Sequence, residues 1–193
     1  MIEILSKIFG SSVRVKLMRM FLVNKNKQFL FDEITKLLRT KKETLKKELN
    51  LLVKTGFIKP NGTGKKKTYE LNKNFQYYAQ FENLLLSPDE SEIGTIKKKI
   101  SSLGRVKLLV LSGAFTSIDP ETDIDILIVG NFSNTRKLEK LISEIEADFG
   151  KELRYAHFSL ADFRYRMDIY DKLLRNVFEY PHQILIDKIN YFK

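Results

Sequence analysis

The stretch from residue 41 to residue 71 constrains the fold of this chain more than any other part of its sequence. It opens with apolar side chains at the i, i+4, i+7 and i+8 spacing of a single buried helical stripe. These residues are Leu45, Leu49, Leu52 and Val53. Gly56 predicts the end of the helix, because glycine readily adopts the left-handed backbone conformation that follows many helices. Two short runs of strand-forming residues follow, at 57–59 and 68–71, and they predict a hairpin.

The segment PNGTGKKK (60–67) joins the two predicted strands. Its Asn-Gly pair, second glycine and run of lysines are typical of a hairpin loop. Upstream of this helix, which we place at 41–56, the apolar spacing predicts two more helices. One covers 13–22, and the other covers 31–39 with Asp32 at its N-cap. The predicted order is therefore three helices followed by a basic hairpin.

The excess of positive charge in the chain is confined to its first third. Residues 1–73 carry 18 lysines and arginines against 6 aspartates and glutamates, an excess of 12 positive charges. Residues 74–193 carry 16 against 18. Such asymmetry indicates that the first region meets a polyanion and that the second region has another role.

The first region resembles the ArsR-like and related winged helix-turn-helix regulators. The resemblance covers most of 5–73 and rests on GSSVRVKLMRMFL, on FDEITKLLRTKKETLKKELNLLVKTGFI and on a basic wing that ends in YELN. It implies binding to double-stranded DNA as a homodimer, with the helix at 41–56 in the major groove.

Candidate DNA-binding residues follow from the buried leucine stripe, which turns the other side chains of the third helix outward. They are Lys41, Lys42, Thr44, Lys46, Lys47 and Asn50 on the helix, and Lys65, Lys66 and Lys67 on the wing. The lysines suit phosphate oxygens, whereas Thr44 and Asn50 suit base edges or precise phosphate contacts. The alternative interpretation, an ordinary lysine-rich solvated surface, stays open.

A connector at 74–103 follows the wing. Its aromatic and leucine side chains recur at helical spacing, and they either pack back on the first domain or form a dimer seam. They are Phe75, Tyr78, Phe81, Leu84 and Leu85. Ser87-Pro88-Asp89 predicts a break, and another helix is expected up to Ser102.

Residues 104–193 alternate predicted strands and helices. The strands lie at 106–113, 123–130 and 152–159, and the helices lie at 134–149 and within 160–178. This pattern predicts a small mixed α/β sheet domain. The expected fold class is α+β with two domains, 1–73 and 104–193, joined by the connector.

Two aspartates at the head of one predicted strand form the most distinctive chemical pattern of this region. Side chains alternate along a strand, so Asp123 and Asp125 are expected on one face, where their charges repel unless a cation lies between them. Mg²⁺ prefers such carboxylate oxygens. Gly113 lets the backbone approach a ligand, and a helix starting near Ala114 offers N–H groups to phosphate. A polar turn before a strand is the simpler alternative.

The spacing of Gly113 and the segment DIDILIVG resembles the minimal nucleotidyltransferases, over about 104–175. The resemblance implies transfer of a nucleotide from a nucleoside triphosphate, with two Mg²⁺ ions held by three carboxylates that include Asp123 and Asp125. Two departures indicate a degenerate pseudoenzyme. Ala114 replaces the serine of the family, and Arg154 stands where the third carboxylate is expected. We therefore predict that Arg154 pairs directly with one of the aspartates.

The expected function is that of a DNA-binding transcription regulator whose second domain is non-catalytic and serves ligand sensing, dimerisation or partner docking. The alternative is a Mg²⁺-dependent nucleotidyltransferase that modifies a protein, a tRNA or a small molecule, with a toxin-like protein partner. The absence of cysteine excludes disulfides and thiolate metal sites. The sequence shows neither a secretory signal nor a long apolar segment, so a cytoplasmic protein without membrane contact is expected.

Overall fold

A computed structural model describes residues 2–86, 90–116, 122–132 and 135–190. The protein is a mixed α+β structure with helices and two sheets. It divides into two compact units, Met1–Asp89 with Ser143–Glu152, and Glu90–Ile142 with Leu153–Lys193. None of the helices among the described residues combines the length and the apolar character needed to cross a bilayer.

The first unit combines helices with a small antiparallel sheet. Its helices are α1 (Ile2–Phe9), α2 (Ser12–Val23), α3 (Phe31–Leu38), α4 (Lys42–Lys54) and α5 (Tyr78–Leu86). Its strands are β1 (Phe29–Leu30), β2 (Ile58–Asn61) and β3 (Thr68–Leu71), in the order β1-β3-β2. The last register pair of the β2–β3 hairpin is Asn61↔Thr68, and the loop at 62–67 contains a 3₁₀ turn at Gly64–Lys66.

Helix α2 lies at the centre of the first core, because apolar residues occur around most of its circumference. Its buried apolar residues are Val15, Leu17, Met18, Met20, Phe21 and Leu22. The predicted stripe of α4 packs into the same core, with Leu45, Leu49 and Leu52 all buried. Ser11 begins α2 by accepting a hydrogen bond from the Arg14 backbone N–H at 3.2 Å.

The connector packs back on the first unit. Leu85 is fully buried, and Phe75, Tyr78 and Phe81 are partly buried against the same core. The ring of Phe57 lies 5.4 Å from that of Phe75 and 6.0 Å from that of Phe81. Of the two expectations for this stripe, intramolecular packing is therefore confirmed for these residues. Leu84 is the exception, since it is 47% exposed.

The last part of helix α7 (Thr135–Phe149) and the residues that follow it pack within the first unit. The Asn24 side-chain amide donates a hydrogen bond to the Gly150 carbonyl at 2.9 Å. Lys16 forms an ion pair with Asp148 at 2.7 Å. The sequence pattern assigns this segment to the region 104–193, whereas the structure groups Ser143–Glu152 with the first unit.

The second unit is built on a four-stranded mixed sheet. Its strands are β4 (Arg105–Leu111), β5 (Ile126–Asn131), β6 (Tyr155–Phe158) and β7 (Gln183–Asp187), in the order β6-β5-β4-β7. Strand β4 runs antiparallel to β5 and β7, and β5 runs parallel to β6. Its other helices are α6 (Glu90–Ser101), α8 (Leu160–Asp168) and α9 (Lys172–Glu179). The central strands β4 and β5 are buried for most of their length, so they hold their loops on a rigid support.

Candidate functional site

The exposed face of α4 and its N-terminal flank is the first candidate site. The inward leucines fix the rotation of the helix, and they leave every predicted DNA-binding residue of this helix exposed to solvent. These residues are Lys41, Lys42, Thr44, Lys46, Lys47 and Asn50. We call them the α4 surface. Four lysines, one hydroxyl and one amide within three helical turns form a surface suited to phosphates and to base edges.

The wing between β2 and β3 carries the other predicted residues. Lys66 is exposed, whereas Lys67 is half-buried with its ammonium group 5.3 Å from the centre of the Tyr69 ring. That cation–π contact restrains the side chain of Lys67. The side chain of Lys65 lies outside the described residues, so its predicted role stays a prediction.

One residue of the α4 surface has an anionic neighbour. The Lys42 ammonium lies 3.0 Å from the Asp32 carboxylate, and both side chains are well exposed. An ion pair in such a position contributes little, about 0–1 kcal/mol, because water and salt screen it. A phosphate group can therefore replace Asp32 as the partner of Lys42 at low cost.

Beneath the α4 surface lies a charged pair that our sequence analysis missed. Glu48 is only 4% exposed, and the Arg14 Nε atom of α2 lies 2.8 Å from its carboxylate. The signal in the sequence is the place of Glu48, next to Leu49 at the edge of the apolar stripe. A carboxylate there needs a buried partner, because an unpaired buried charge is costly.

The second candidate site centres on Asp125 in the second unit. This side chain is fully buried, and its carboxylate accepts four hydrogen bonds. The Ala114 backbone N–H donates at 2.8 Å and the Arg154 backbone N–H at 2.8 Å. The Arg154 guanidinium adds two more, from Nε at 3.2 Å and from a terminal nitrogen at 3.1 Å. The predicted direct pair between Arg154 and one of the aspartates is confirmed, and its partner is Asp125.

The glycine turn at Gly113 serves this carboxylate. Gly113 has a φ of +50°, and a Cβ atom there would lie 2.4 Å from the Asp125 carboxylate and 2.7 Å from the Thr122 hydroxyl. The close approach that we expected toward a ligand is thus made toward Asp125 and Thr122. The turn at Gly113–Phe115 is a single 3₁₀ turn rather than the start of a longer helix. The Ala114 N–H, predicted to face phosphate, is bonded to Asp125.

Asp123 has a different environment from Asp125. The strand prediction of 123–130 starts too early, since β5 begins at Ile126, and the alternation argument therefore does not apply to the two aspartates. Asp123 is exposed, and the Asn176 side-chain amide donates a hydrogen bond to it at 3.2 Å. The expectation that both aspartates lie on one face of one strand is wrong for this reason.

The electrostatics of the site centre on Arg154. Its pKa is raised above its ordinary value, first by the hydrogen bond to Asp125 and then by the charges of Asp125 and Asp123, while burial works in the opposite direction. The Arg154 guanidinium therefore pairs with Asp125 and also interacts more weakly with the charge of Asp123. Nowhere in the described part of the chain do three or more His, Cys, Asp or Glu side chains gather closely enough to hold a metal ion.

These residues fit the two-metal centre implied by the family resemblance poorly. The carboxylate of Asp125 already accepts four protein hydrogen bonds, and a cation of the protein faces it. A metal ion would have to displace that cation. No protein-family model matches the chain, and comparisons with curated proteins and with solved structures found no significant similarity.

Proposed function

We propose that the protein is a DNA-binding transcription regulator and that the first unit is a winged helix-turn-helix. The observation that carries this proposal is the α4 surface, where all six predicted residues are exposed on a helix that an apolar stripe holds in place. The element order of the unit, with its three-stranded sheet and its wing, also supports it.

The dimensions of α4 suit the major groove. Its 13 residues make a rod about 20 Å long. The major groove of B-DNA is about 12 Å wide and admits an α-helix. Lys46 and Lys47 contact phosphates, while Thr44 and Asn50 reach base edges and supply sequence preference. The protein acts as a homodimer on two half-sites about 34 Å apart.

The second unit belongs to this proposal as a non-catalytic nucleotidyltransferase-like domain. The ion pair between Arg154 and Asp125 and the bond from Ala114 to Asp125 support this view, because they use the groups that a nucleotide and its metal would need. The unit then serves ligand sensing, dimerisation or partner docking. The alternative, an active nucleotidyltransferase, has less support because a two-metal site must neutralise charge at both reacting oxygens.

The test of DNA binding compares two matched lysine pairs, each exposed on a helix. Lys46→Ala/Lys47→Ala removes two charges from the α4 surface, and Lys97→Ala/Lys98→Ala removes two charges from α6. Fluorescence anisotropy is measured with DNA from upstream of the protein's own gene. We expect the first variant to bind at least 10-fold more weakly, because each lysine contributes a phosphate contact.

The α6 variant controls for the loss of net charge. It is expected to bind DNA within about twofold of the wild type, since a lysine outside the α4 surface and the wing makes no phosphate contact in this proposal and contributes only a screened long-range interaction. Equal losses in both variants would indicate attraction by general charge and would contradict the proposed interface.

A further inference from the structure

We infer that the ion pair between the half-buried Arg14 and the buried Glu48 is a positioning device that fixes the orientation of α4 and thereby the sequence discrimination of the protein. This inference rests on the proposed function. It adds two residues that do not touch DNA to those that determine specificity. Neither residue belongs to the α4 surface, and each acts through α4.

The geometry ties three helices together through one guanidinium. The Nε atom of Arg14 donates to the Glu48 carboxylate of α4 at 2.8 Å. A terminal nitrogen of the same group donates to the carbonyl of Phe9, the last residue of α1, at 2.6 Å. The backbone N–H of Arg14 is itself held by Ser11, the N-cap of α2. Arg14, which holds Glu48 of α4, is therefore itself held by two further hydrogen bonds, one to the Phe9 carbonyl and one to the Ser11 side chain.

The place of Glu48 on α4 links this ion pair to the α4 surface. Successive helical residues are about 100° apart, so residues four apart lie nearly above one another. Thr44 is four residues before Glu48, and Lys47 is its immediate neighbour. A rotation of α4 that turned Thr44 within the groove would also move Glu48 away from Arg14. The ion pair opposes that rotation directly.

The apolar stripe alone would hold α4 less specifically. Leu45, Leu49 and Leu52 supply most of the burial, but hydrophobic burial is non-directional and permits small rotations. A buried ion pair usually adds little stability compared with an apolar pair of similar size, because desolvation offsets its attraction. What the pair does supply is direction, since the hydrogen bond from Arg14 to Glu48 is lost within a small displacement of α4, while the bond from Arg14 to Phe9 keeps the guanidinium in place.

The experiment replaces the ion pair by an apolar pair without changing the net charge. The double variant Arg14→Met/Glu48→Leu is compared with the wild type in two measurements. One is the midpoint of urea unfolding. The other is the ratio of the affinity for DNA from upstream of the protein's own gene, which we call the operator, to the affinity for scrambled DNA of the same composition. We expect a midpoint equal to or higher than that of the wild type, an unchanged affinity for scrambled DNA, and a discrimination ratio that falls about 10-fold.

A second variant covers the case in which the double variant folds poorly. Arg14→Lys keeps the charge but replaces the planar fork, whose separate nitrogens donate to Glu48 and to Phe9 in fixed directions, with a single ammonium nitrogen on a flexible stem. It is expected to lose discrimination while its salt dependence stays unchanged. Wild-type discrimination in the folded variants, verified by circular dichroism, would overturn the inference. A wild-type protein without any preference for operator DNA would instead overturn the proposed function.

Discussion

At the scale of single residues, Asp123 and Asp125 show how far two identical side chains can differ. Burial of a carboxylate is costly unless hydrogen bonds and an opposite charge compensate it. Asp125 has both, from Ala114 and Arg154. Asp123 remains in water beside Asn176. Of these two aspartates, Asp125 therefore has a structural role and Asp123 is a surface residue.

This division predicts unequal effects of two isosteric changes. Asp125→Asn should lower the free energy of unfolding by about 2–3 kcal/mol, because an amide cannot accept all four hydrogen bonds or compensate Arg154. Asp123→Asn should change it by less than about 0.5 kcal/mol, as is usual for exposed positions. Urea unfolding followed by circular dichroism measures both values. Similar effects of the two changes would contradict the division, and so would a Mg²⁺-dependent nucleotide transfer abolished by either one.

At the scale of elements, the predicted boundaries are accurate where the local sequence pattern and the tertiary packing favour the same structure. Helix α4 was predicted within two residues because its apolar stripe and its terminal glycine both follow the helical rules. Strand β5 begins three residues later than predicted. The backbone of Asp125 nevertheless bonds to Ser112 on one side and to Arg154 on the other, so strand-like pairing reaches one residue before β5 begins.

Three elements were missed for identifiable physical reasons. Helix α1 has only 8 residues, fewer than the roughly 11 to 18 over which helical periodicity is read. Strand β1 has only two residues, and its pairing with β3 is a long-range contact. Strand β7 closes one edge of the second sheet, and its five residues lie beyond residue 178, where the last predicted element ends. The pairing of Arg154 with one of the aspartates was predicted, whereas the burial of Asp125 and its bonds from the Ala114 and Arg154 backbones could not be predicted from spacing alone.

The junction of α2 and α5 gives a prediction for alkaline pH. Lys25 lies against Glu82, and the hydrogen bond to Glu82 raises the pKa of Lys25 above its ordinary value of 10.5. Because the pKa of Lys25 is higher in the folded state, its stabilisation is present in full at pH values below its pKa in the unfolded state. The stabilisation is lost as pH rises through its pKa in the folded state. Burial also raises the pKa of Tyr78, which acts in the same direction.

The measurement is the stability difference between the wild type and Glu82→Gln as a function of pH. We expect the wild type to be more stable at pH 8, and we expect the difference to shrink as pH rises above 10.5 and Lys25 loses its proton. The variant itself controls for the general effects of alkaline pH. A difference that persists unchanged at pH 11.5 would show that the ion pair is not its cause.

The docking of Gly150 on α2 gives a prediction about packing. Gly150 has a φ of +78°, and a Cβ atom there would lie 2.6 Å from the Met20 Cα atom. Gly10 has a φ of +73° with nothing within 4 Å of such an atom, so it is a matched control for backbone strain alone. Gly10→Ala should cost about 1 kcal/mol, and Gly150→Ala should cost about 1–3 kcal/mol more because of the clash. Equal costs would contradict the tight packing of this segment.

At the scale of the whole molecule, the uneven distribution of positive charge is read directly from the sequence. The excess of 12 positive charges lies in residues 1–73, which also contain the α4 surface and the wing. The inclusion of Ser143–Glu152 in the first unit was not predictable, because it depends on contacts between residues more than 100 positions apart, such as Asn24 and Gly150. Local periodicity carries no information about such pairs.

The most direct test of DNA binding is its salt dependence in the wild type and in a variant with Lys65→Ala, Lys66→Ala and Lys67→Ala. Affinities for operator and scrambled DNA are measured between about 50 and 200 mM salt, the range over which phosphate contacts weaken strongly. We predict that the slope of log affinity against log salt becomes shallower by about 2–3, with similar losses for both sequences. An unchanged slope, or a wild type whose binding ignores both salt and sequence, would contradict the account.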